Sequence, residues 1–164
     1  MEDLSPFQTL AEVALGIAGF GGVVVAFRDR SHGWHPADSA RVLSLLLTSF
    51  GALFLSLLPS GLSLAHITTP TIWRVGSACM ILVIILWLAL IPRRMLRDAR
   101  PVLFPPAILI PVQVFNLANI VSQTVNVIGA PYQSNAWTYY FGIVWMLCFS
   151  ALIFGRVIFA RPPE

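Results

Sequence analysis

Five apolar stretches, at about 7–27, 41–64, 72–91, 104–129 and 137–159, take up most of this 164-residue chain. Each is close to or above the roughly 20 residues that a helix needs to cross a bilayer core. The connections between them are short, so little sequence is left for anything else. With 57% hydrophobic and only 10% charged residues, the chain falls outside the range of soluble domains. It reads as an all-α integral membrane protein, a single five-helix bundle over residues 1–164. No soluble domain, internal repeat or low-complexity segment interrupts it.

The basic residues set the expected orientation. All ten are arginine, and nine of them (Arg28, Arg30, Arg41, Arg93, Arg94, Arg97, Arg100, Arg156 and Arg161) fall on or near one side of a five-span layout. Arg74 alone falls near the other. The positive-inside rule then predicts the N-terminus outside and the C-terminus in the cytoplasm, as a multi-pass protein of a bacterial inner membrane. Glu2 and Asp3 stand where a signal peptide would be basic, so the first span is expected to stay in the protein. Trp73, Trp137, Tyr139 and Tyr140 are placed to form an interfacial belt at the outer ends.

The fourth span is the unusual one. Gln113, Asn116, Asn119, Gln123 and Asn126 recur at spacings of three, three, four and three. On a helix these five carboxamides share an arc of roughly 140° and climb about 20 Å along the axis. Unpaired amides cannot face acyl chains over that length, so the stripe must meet water, a ligand or other polar groups. Two readings follow. In the first, span four surrounds the central axis of a homo-oligomer and the amides line a polar pore or channel, with Pro111 as its hinge. In the second, the protein is a non-catalytic structural or interaction subunit and the amides are glue between helices, in the chain itself, a second copy or another membrane protein. The length of the stripe favours the pore, because interhelical glue usually needs one or two polar residues per helix. Within one protomer, the hydroxyls of Thr48, Ser56 and Ser60 on span two are the expected partners of the amides.

Other features are weaker. Ala14, Ala18, Gly19 and Gly22 on span one are expected to let a neighbouring helix approach closely. Glu12 is the one acidic residue inside a span, and an outer ion pair with Arg74 is one expectation for it; a carboxylate reaching up to headgroup water is the other. Arg93, Arg94, Arg97 and Arg100 suit contact with anionic lipid better than with nucleic acid, and a third reading makes the protein a membrane-perturbing effector or sensor gated through these cytoplasmic arginine-rich loops. His32 and His35 in an HGWH loop lack a third ligand in fixed geometry, so no metal is expected. No span carries a mid-membrane histidine for haem, and no cofactor is expected. Cys79 and Cys148 read as packing residues. No nucleophile with a base and no paired carboxylates share a plausible depth, so no catalysis is expected.

Overall fold

The computed structural model describes residues 4–27, 36–98, 106–129 and 134–159. Among them are five helices: α1 (Ser5–Phe27), α2 (Pro36–Leu64), α3 (Thr69–Asp98), α4 (Pro106–Ile128) and α5 (Ala136–Phe159). Four contain segments long and apolar enough to cross a membrane: Ser5–Val24, Ser39–Leu64, Thr69–Leu90 and Ala136–Ile158. α4, which carries the carboxamides, is not among these over its residues 110–128.

The helices form an open arc with a centre. α1 packs on α2, α2 on α3 and α3 on α4, while α5 packs on all four; the backbones of α1 and α4 do not approach each other. At the end where α1, α3 and α5 begin, here the near end, Phe7, Trp73 and Tyr139 form an aromatic cluster. Phe7 stacks on Trp73 at a centroid distance of 5.5 Å and meets Tyr139 at 5.8 Å. Below it pack Leu55, Met80 and Ile143. A second apolar cluster towards the far end joins Leu45, Trp87, Val112, Phe149 and Ile153. The outward surface is also apolar, with Phe20, Phe54, Leu82, Leu117 and Phe141 all exposed. A surface of this kind suits acyl chains in place of water.

Close helix approach is permitted by small residues at defined points. A Cβ at Gly76 would lie 2.8 Å from the Tyr139 ring, and one at Gly51 2.9 Å from Val83. Pro59 lies inside α2 and has no N–H to give the Leu55 carbonyl four residues earlier. The Tyr139 hydroxyl donates to that carbonyl at 2.6 Å, so α5 satisfies the backbone group that α2 cannot.

Candidate functional site

The amide stripe faces into the protomer. Asn116, Asn119, Gln123 and Asn126 are buried, Gln123 completely, whereas Val114, Leu117, Val121 and Val125 on the opposite side of α4 are exposed. The face expected to line a pore between copies is turned towards α3 and α5.

Each buried amide has a partner there. Ser77 of α3 donates to Gln123 Oε1 at 2.7 Å. Gln123 Nε2 donates to Asn119 Oδ1 at 3.0 Å and to the Thr138 carbonyl at 2.9 Å. Asn119 Nδ2 approaches the Gly142 carbonyl at 3.4 Å. One turn towards the far end, Trp145 Nε1 donates to Asn116 Oδ1 at 3.1 Å.

Asn126 holds the connection between α4 and α5. Its Nδ2 donates to Ser77 Oγ at 2.9 Å and to the Asn135 carbonyl at 3.2 Å, and its Oδ1 accepts from the Asn135 N–H at 2.8 Å. The amide thus pairs with both backbone groups of one residue. Asn135 in turn caps α5, its Oδ1 accepting from the Thr138 N–H at 2.9 Å. The end of α4 is closed by Gly129 at φ +73°, the left-handed residue that ends many helices. Arg74 sits over that C-terminus, where a cation is favoured, and its Nε donates to Ser134 Oγ at 3.1 Å.

Gly142 makes this site possible. A Cβ there would fall 2.9 Å from Asn119 Oδ1 and closer still to Gln123 Nε2 and Met80 Sδ. Small-residue spacing points to α1 and misses this position, whose only signal is a glycine within an aromatic-rich span.

The expected partner helix differs from the one observed. The backbones of α2 and α4 do not approach each other, since α3 and α5 lie between them. Among the hydroxyls of α2, Thr48 instead accepts from Ser150 of α5 at 2.6 Å, Ser56 Oγ is buried without a partner, and Ser60 is exposed. Beside Thr48 and Asn116 lies a void of about 20 Å³, the size of a single water. Asn119 also borders an open groove of about 510 Å³ between α4 and α5, walled by Phe115, Trp137, Phe141 and Trp145.

The remaining residues are scattered. Gln113 is half-buried, and Pro111 is exposed inside a helix that continues through it. Glu12 is exposed and makes no ion pair with Arg74. α1 and α3 meet through the Phe7–Trp73 stack without close backbone approach, and Glu12 lies about 140° around α1 from Phe7. Ala14 and Ala18 are buried in α1, while Gly19 and Gly22 face outward, and a methyl group added at either would meet nothing within 4 Å. The side chains of Arg93, Arg94 and Arg97, and the whole of Arg100, His32 and His35, lie outside the described residues. Among the described residues, no three His, Cys, Asp or Glu side chains gather as metal ligands would.

The fold and site together define a helical membrane-type bundle stapled by a buried carboxamide network. Comparison with protein-family models, curated proteins and solved structures finds no match.

Proposed function

We propose that this chain is a non-catalytic structural or interaction subunit, a multi-pass protein of the bacterial inner membrane in which the amides of α4 fasten helices within one protomer. In this reading α4 is the fifth span and the N-terminus lies outside. The outward face of α4 is formed by Val114, Leu117, Val121 and Val125. The one-sided arginines support the orientation.

The observation that carries the reading is Gln123. It has no exposed surface, and both ends of its amide are engaged, by Ser77, by Asn119 and by the Thr138 carbonyl. A pore-lining amide would leave part of that capacity to water. In a bundle, interhelical hydrogen bonds of this kind contribute about 0.6 kcal/mol each. What they supply is a fixed arrangement of α3, α4 and α5, whose outward faces are then available to other membrane proteins.

Cysteines placed singly at 116, 119 and 123, in a background with Cys79 and Cys148 changed to alanine, test this. In the folded protein none should react with a membrane-impermeant maleimide. Labelling at all three would overturn the reading and restore a water-filled path along α4.

A further inference from the structure

We propose that a second copy of this chain docks on the outward face of α1, with Glu12 of one copy bonded to Arg74 of the other. This rests on the reading above, in which the amides are used up internally and contacts between chains are lateral.

α1 has two unlike faces. Phe7, Leu10, Ala11, Ala14 and Ala18 are buried on the side that meets α2 and α5. Ser5, Gln8, Thr9 and Glu12 are exposed, and the same outward side continues through Gly19 and Gly22. Methyl groups added at Gly16, Gly19 or Gly22 would meet nothing within 4 Å. Leu15, Phe20 and Val23 are exposed on α1 as well, so the glycines lie among apolar side chains; a carboxylate within a span is costly to leave against lipid.

Depth identifies the partner. Phe7 stacks on Trp73, which puts these two residues at one level. At 1.5 Å per residue, Glu12 lies about 7.5 Å further into the bundle than Phe7, and Arg74 about 1.5 Å further than Trp73. The offset is about 6 Å, which the two long side chains span together. Arg74 is exposed, and beyond the bond from Nε to Ser134 its guanidinium donors bond to no other described side chain. Within a protomer the two charges stay apart, because the side of α1 that reaches Trp73 is the one bearing Phe7 and Glu12 points away from it. Between copies they can meet, and Gly16 and Gly19, one and two turns on from Glu12, put no side chain in the way of a neighbouring helix. A two-fold pair would form the bridge twice across one shared patch, whereas a head-to-tail contact between unlike faces would form a ring or an open chain.

The test uses the full chain in nanodiscs, with oligomeric state as the readout. Glu12→Arg alone and Arg74→Glu alone should each weaken self-association by about tenfold or more. Mixing the two variants should restore it, because each supplies the charge that the other lost. Glu12→Arg should leave helix content and thermal unfolding of the protomer unchanged, whereas Arg74→Glu also loses the bond to Ser134 and sets a carboxylate at the C-terminus of α4, so for that variant the recovery of assembly in the mixture is the readout. A monomeric wild-type chain, unaffected single variants or a mixture that fails to recover would each overturn the proposal. So would an Arg74→Gln variant that loses binding to anionic vesicles while assembly is kept, which would assign Arg74 to headgroups. Maleimide labelling at 116, 119 and 123 in the same samples separates the two levels. Labelling there defeats the interaction-subunit reading, and absence of labelling without assembly defeats this inference alone.

Discussion

α4 and α1 both carry a stripe that lipid would not welcome, and they turn it in opposite directions. On α4 the carboxamides point inward, each buried one bonded to α3, α5 or its own helix, and large apolar residues point outward. On α1 Phe7, Leu10 and Ala14 are buried, and Glu12, Gly19 and Gly22 point outward among the exposed Leu15, Phe20 and Val23. A polar stripe in a membrane helix therefore does not by itself indicate a pore. What matters is whether its hydrogen bonds are already closed inside the protomer. On α4 they are closed; on α1 the Glu12 carboxylate is left open.

The sharpest way to break this contrast is at Gly142. Replacement by alanine should destabilise the bundle by about 1–3 kcal/mol, since Asn119, Gln123 and Met80 occupy the space. Reversible unfolding in mixed micelles would measure it, and a neutral result would mean that α5 does not approach α4 as described. Next in size, Gln123→Leu removes three hydrogen bonds and should cost about 2 kcal/mol at about 0.6 kcal/mol each. A double-mutant cycle with Ser77→Ala should be non-additive; additivity would separate the two residues. Tyr139→Phe should cost about 1 kcal/mol by orphaning the Leu55 carbonyl. That loss should shrink when Pro59→Ala returns the missing N–H. At the small end, Gly19→Leu should leave protomer stability within about 0.5 kcal/mol, because nothing lies over that position. A larger loss would place Gly19 against another helix of the same chain.

The helical, membrane-type character of the chain was legible in its apolar runs, and hydrogen-bond chemistry required the amides to avoid lipid. Their partners were not legible. Periodicity gives the face of one helix but not its neighbour, and the hydroxyls on α2 made a more regular pattern than the single Ser77 that takes the bonds. Glu12 and Arg74 looked compatible because depth can be counted from a sequence, whereas the position of a helix around the bundle cannot. Gly142 was invisible for the same reason: a glycine matters through what lies opposite it. Helix bounds also moved, with α2 starting at Pro36 and α3 running on to Asp98, because helices continue past the apolar run into residues suited to the interface.

The bond from Tyr139 to Leu55 has a consequence for assembly in time. α2 leaves the ribosome long before α5, and until α5 arrives its Leu55 carbonyl lacks the donor that Tyr139 brings. Thr48 likewise waits for the Ser150 hydroxyl and the Gln123 amide for the Thr138 carbonyl, and the inner faces of all four earlier helices close on α5. The first four helices are thus an unfinished shell, and synthesis of the fifth is the step that commits the chain to its native packing. Nascent chains stopped before Ala136 should be the ones that membrane quality control recognises.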